Sequence, residues 1–120
     1  NWSEFEADVF LSVNLLSQLN VHIVGFLQCK KMVSHEQAVE VARVLQQSHV
    51  NSLPREKSLL VTDYEEELYD EEEKLSATKP RVYADISYLN TVDSWMWNFD
   101  SCNEFHSEFN VKLNVSAFRI

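Results

Sequence analysis

The sequence predicts an α+β domain: two or three N-terminal helices packed on a C-terminal antiparallel three-stranded β-meander. Three observations carry this reading. Val33 to Val50, VSHEQAVEVARVLQQSHV, has helical spacing and a start signal. From Arg81 the apolar period shortens to two, the period of a strand. A length of 120 residues, 45% of them apolar, is enough for one core without disulfide or metal staples.

Taken in order, Ser3-Glu4-Phe5-Glu6 has the form of a capping box, with Ser3 as cap and Glu6 reaching back. Phe5, Val9, Val13, Leu16 and Leu19 then trace one helical face, and Phe10, Leu11 and Leu15 widen it. A helix is expected over about 3–19 on that spacing. Val21, Ile23, Val24, Phe26 and Leu27 form an apolar cluster that fits a short helix or a strand. Lys30 and Lys31 favour the helix, because cations suit the negative end of the helix dipole.

The main helix is expected over residues 34–49. Ser34 caps it, Gln37 completes the capping box, and Val33 with Ala38 forms a hydrophobic staple. Ala38, Val41, Ala42 and Leu45 make its core face, with Glu36, Glu40, Arg43, Gln46 and Gln47 off that face. Asn51, Ser52 and Pro54 end it. Ser58 to Thr62 reads as a short strand.

Residues 63–73, DYEEELYDEEE, hold eight of the 19 acids and no base. The rest has 11 acids against 10 Lys and Arg, so the net charge of −9 is concentrated in one segment. That segment is expected to form a solvated acidic loop through residue 80, kept open by self-repulsion. It could dock a basic partner, and Tyr64 and Tyr69 are candidate phosphorylation sites. The near-neutral remainder gives no bulk charge for nucleic acid or an anionic membrane.

Beyond residue 80, Val82, Ala84, Ile86 and Tyr88 alternate with polar positions, as do Trp95, Trp97 and Phe99. Phe109, Val111, Leu113, Val115 and Ala117 give the clearest alternation. The strand at 108–118 is long, carries only Glu108 and Lys112, and ends the chain. It is therefore expected to be an edge that pairs with a protein partner or a second copy. Lys112, Asn114 and Ser116 would face outward from it. Trp95 and Trp97 share one face and would anchor a partner wherever that face is uncovered.

One domain spans 1–120, with a helical part at 1–54, the acidic loop at 63–80 and a β part at 81–120. Position 1 is not Met, so the chain is expected to be a fragment of a longer protein or a processed product. No apolar run reaches the roughly 20 residues that cross a bilayer. His22, His35, His49 and His106 lack the spacing of a helical or finger zinc site, and Cys29 and Cys102 lie far apart. With one Gly, phosphate loops and dinucleotide fingerprints have no place. No catalytic residue, cofactor or metal is expected.

Phe26-Leu27, Ser34, Ala38-Val39, Val41, Leu45 and Val50, followed by Leu59 to Val61 and Tyr69, give residues 26–69 a pattern. It resembles the DEP domain, the winged-helix module of dishevelled-, pleckstrin- and RGS-type signalling proteins. The chain departs from that family where Ser48-His49 replaces a Gly after the helix. It also lacks the basic patch, and the strands after residue 80 have no counterpart. The resemblance implies an adaptor module and no enzyme.

The function expected from these readings is a non-catalytic protein–protein interaction module, an adaptor or scaffold within a larger intracellular protein. The alternative is a secreted or viral host-interaction domain with one disulfide between Cys29 and Cys102. A small enzyme comes third.

Overall fold

The computed structural model describes residues 2–106 and 108–120. A 12-residue strand, β2 (Ser58–Tyr69), is its axis. One side of β2 pairs antiparallel with β5 (Asn110–Arg119), from Leu59 opposite Arg119 to Tyr69 opposite Asn110. The other side is shared between two strands. β1 (Phe10–Val13) runs parallel along residues 58–61, and β3 (Leu75–Pro80) runs antiparallel along residues 65–69. β4 (Asn90–Trp97) pairs antiparallel with the far side of β5. The sheet is five-stranded and mixed, in the order β1-β2-β5-β4, with β3 beside β1 on the outer side of β2. Bulges fall at Tyr64 in β2 and at Val92 in β4.

Two helices precede β2: α1 (Val21–Cys29) and α2 (His35–Ser52). The start of α2 is the capping box read from the sequence. Ser34 Oγ accepts the Gln37 N–H at 3.2 Å, and Gln37 Oε1 accepts the Ser34 N–H at 2.8 Å. Its buried stripe is Ala38, Ala42, Gln46 and Val50. Val50 and Leu53 meet Leu60 of β2, Phe118 of β5 and Leu16 from a 3-10 turn (Leu16–Gln18). Ala84 and Leu89, from the segment between β3 and β4, complete this first core.

A second core lies on the other face of the sheet. Val111, Leu113 and Val115 of β5 join Leu68 there, with Ala77, Phe99 and Phe109 against them. Among the described residues no helix contributes to it. The shortest extent of the molecule is 23 Å. That is the depth of a sheet with one helical layer about 10 Å thick, so among the described residues one face of the sheet carries no helix.

Several sequence expectations are corrected. The class is α+β, but the sheet is not a three-stranded antiparallel meander: it has five strands and one parallel pair. The helix expected at 3–19 is a 3-10 turn (Trp2–Glu4), β1 and the second 3-10 turn; the Ser3 side chain lies outside the described residues. Phe10, Leu11 and Val13 are apolar around a single polar Ser12, and the pairing partner lies 48 positions away at Ser58 to Val61. Local spacing does not reveal such a partner.

The acidic segment is not one loop: only residues 70–74, between β2 and β3, form a turn. Residues 63–69 belong to β2, and β3 covers 75–80. The charges are matched across strands, with Glu66 opposite Lys79 and Glu67 opposite Lys112. Residues 81–89 are not a strand either. Arg81 N and Val82 N go to the Tyr64 carbonyl, and the next donors go to helix side chains: Gln46 Oε1 accepts from Tyr83 N and Ala84 N, and Gln47 Oε1 accepts from Asp85 N. Finally, β5 is an interior strand, paired on both sides, and the edge beyond it is β4.

Candidate functional site

β4 reads NTVDSWMW, in which Thr91, Val92, Trp95 and Trp97 favour an extended chain and Asp93 is the one charge. None of its eight residues is buried. Ser94 and Met96 lie opposite Ser116 and Asn114, and the Ser94 and Ser116 hydroxyls are 2.8 Å apart. Asp93, Trp95 and Trp97 lie opposite Ala117, Val115 and Leu113 on the helix-free face. Trp95 is 44% exposed, Trp97 47% and Val92 56%.

The Trp pair continues into the connection between β4 and β5. Trp97 and Phe99 have ring centroids 5.6 Å apart, and Phe99 meets Phe105 edge-on at 5.2 Å. Asp100 fixes this connection. Its Oδ1 accepts the N–H groups of Glu104 (2.8 Å) and Phe105 (3.0 Å), and its carbonyl accepts Asn110 Nδ2 at 2.8 Å. Phe99 is thereby held over the second core while Phe105 remains exposed. At the opposite edge of the same face, Leu11 and Val13 of β1 are exposed opposite Leu59 and Val61. Exposed tryptophans on an edge strand are candidate anchors for a partner.

The expected partner-binding residues divide between the two faces. Trp95 and Trp97 share the helix-free face and are both accessible. Lys112, Asn114 and Ser116 are on the other face of β5 and are engaged within the fold. Lys112 Nζ sits 4.5 Å from the Tyr69 ring centroid. Asn114 Nδ2 donates to Glu65 and Glu67 at 2.9 Å each, and Ser116 is buried. Neither candidate phosphosite is in a loop, since Tyr64 forms the β2 bulge and Tyr69 ends that strand. The Tyr69 hydroxyl donates to Glu67. This bond raises the Tyr69 pKa, and with the Asn114 bond behind it lowers that of Glu67.

Sequence reasoning missed a buried polar hub under α2. Gln46 is fully buried. Its Nε2 donates to Asn20 Oδ1 at 2.9 Å and to the Arg81 carbonyl at 3.0 Å, with the Leu16 carbonyl at 3.2 Å. Beside it Arg81 pairs with Asp63 at 2.7 Å and Glu66 at 3.1 Å, and the Ser17 hydroxyl donates to Asp63. A second contact, Ser12 Oγ to His49 Nε2 at 2.8 Å, joins β1 to the last turn of α2. Ser12 is buried, and among the hydrogen bonds of the described residues no carboxylate orients the His49 ring. Burial lowers the His49 pKa.

Cys29, at the end of α1, and Cys102, between β4 and β5, are both exposed and unpaired. Among the described residues no three His, Cys, Asp or Glu side chains converge to hold a metal ion. Among them, also, no helix is long and apolar enough to cross a membrane. A cavity of about 360 Å³ opens between Tyr69, Asp70, Glu73, Glu108 and Lys112, with an acidic rim. No family model matches the chain, and no curated protein or solved structure is significantly similar to it.

Proposed function

We propose that this chain is a non-catalytic protein-interaction module that docks its partner on β4 and the adjoining helix-free face of the sheet. The observation that carries the reading is the exposure of Trp95 and Trp97 on an edge strand with no buried residue. Trp is enriched among residues that dominate binding energy, and an unprotected edge offers a row of free backbone donors and acceptors. The resemblance of residues 26–69 to the DEP-type adaptor module points to the same class of function.

The test is affinity capture with the wild-type chain beside a Trp95→Ala/Trp97→Ala variant of equal unfolding midpoint. The reading predicts a protein captured by the wild type and lost from the variant, with roughly 2 kcal/mol or more of binding energy removed per Trp. Capture that is indifferent to both tryptophans overturns it.

A further inference from the structure

We propose that the partner on β4 is a second copy of this chain, its β4 pairing antiparallel with the first and the pairing centred on Trp95. This rests on the reading of β4 as the docking edge and names what docks there. Antiparallel strands related by a two-fold axis through the sheet keep each face on its own side. The ten-stranded sheet so formed would place the two Trp95 side chains opposite each other on the helix-free face. Asp93 of one copy would fall opposite Trp97 of the other. The only charge of β4 would then never meet its own image, and like charges directly opposite are what disfavour a self-paired strand.

Charge selects this edge for a like-charged occupant. The chain carries a net charge of −9, and eight of its acids lie in residues 63–73. Those residues are in β2 and the turn into β3, on the side of the sheet away from β4. Across a β4-to-β4 junction the two β2 strands are five strand spacings apart, roughly 24 Å. That exceeds the Debye length of about 8 Å at physiological ionic strength, so the acidic strands hardly repel. Pairing through β3 would bring the two β2 strands within three spacings, about 14 Å, with the acidic turns beside them. Of the devices that keep edges single, β4 has only the bulge at Val92 and one acid, Asp93. It has no Lys and no Pro, and apolar side chains stand on both of its faces.

Sedimentation equilibrium tests the proposal with the wild-type chain and the charge variants Trp95→Lys and Trp95→Glu. The wild type should be a dimer at micromolar concentration. Each variant alone should dissociate at least about tenfold more readily, losing its central anchor and gaining like charges in register. An equimolar mixture of the two should recover the dimer, because the introduced ammonium then faces the introduced carboxylate. That recovery also shows that neither variant failed to fold. A wild type that is monomeric up to millimolar concentration overturns the proposal, as does a dimer indifferent to either charge or a mixture that stays monomeric. A monomeric wild type that still captures a foreign protein, lost in Trp95→Lys, removes the second copy and leaves β4 as the docking edge. If no protein is captured either, the docking reading falls with it.

Discussion

Gln46 Oε1 accepts the backbone N–H of Tyr83 at 2.6 Å, joining the middle of α2 to a segment 37 positions away. The same oxygen takes Ala84 N at 3.3 Å, so one side chain satisfies two backbone donors that a ladder would otherwise serve. Replacing Gln46 by Ala strands both donors and leaves Asn20 Oδ1 and the Arg81 carbonyl unpaired under the helix. A loss of about 3 kcal/mol is expected, since each unsatisfied buried group costs about 1–3 kcal/mol. Leu45, only partly buried, should cost less when changed to Ala. Urea unfolding of the two variants checks the order.

The acidic hairpin is expected to be structural. Deleting residues 65–73 removes the half of β2 that pairs with both β3 and β5, together with Leu68 of the second core. Cooperative unfolding should be lost, as followed by near-ultraviolet circular dichroism. A deletion variant with a sharp transition would show that β5 and β4 hold together without it.

Stability should fall on mild acidification through His49. Burial holds its pKa below the ordinary value, and Ser12 lies on the ring. The unfolded ring takes its proton near pH 6.5, about the value of free histidine. The contribution of the neutral ring is therefore fully present above about pH 6.5 and is lost as the pH falls through the folded pKa. Urea midpoints measured at descending pH should decline in that window for the wild type. A His49→Gln variant should lose that part of the slope, and an unchanged slope would assign it to other groups.

Two backbone changes should stabilise. A Cβ at Gly25, inside α1, would meet nothing within 4 Å, so Gly25→Ala should gain up to about 1 kcal/mol from helix propensity. Glu73 sits at φ 58° in the turn between β2 and β3, and Glu73→Gly relieves a conformation costing about 1–2 kcal/mol for a residue with a Cβ. The gain is reduced by the extra chain entropy of Gly in the unfolded state. Thermal midpoints should rise for both; a fall for Glu73→Gly would mean that its side chain holds the turn.

The sequence made legible what is local. The Ser34–Gln37 capping box and the body of α2 are where their residue types place them. The alternation of Val111, Leu113, Val115 and Ala117 gave the phase of β5, with all four buried. The strand's position in the sheet was not legible, because Ser116 and Phe118, on its other face, are buried too by the first core and by β4. End-of-chain position does not make a strand an edge. The acidic run misled for the same reason: Lys79, Lys112, Arg81 and Asn114, which answer its charges, are distant in sequence. Of the candidate site, the Trp pair and its shared face were legible, and the strand that presents the free edge was not.

The central claim is that β4 is the edge through which this sheet is extended by a second copy. Residue-resolved amide hydrogen exchange, from micromolar to near-millimolar protein, tests it most directly. The account predicts that the outward N–H groups within Asn90–Trp97 gain protection as concentration rises, while those of β1 and β3, on the other edge, exchange at unchanged rates. Protection gained at β1 or β3 with β4 unaffected would contradict it.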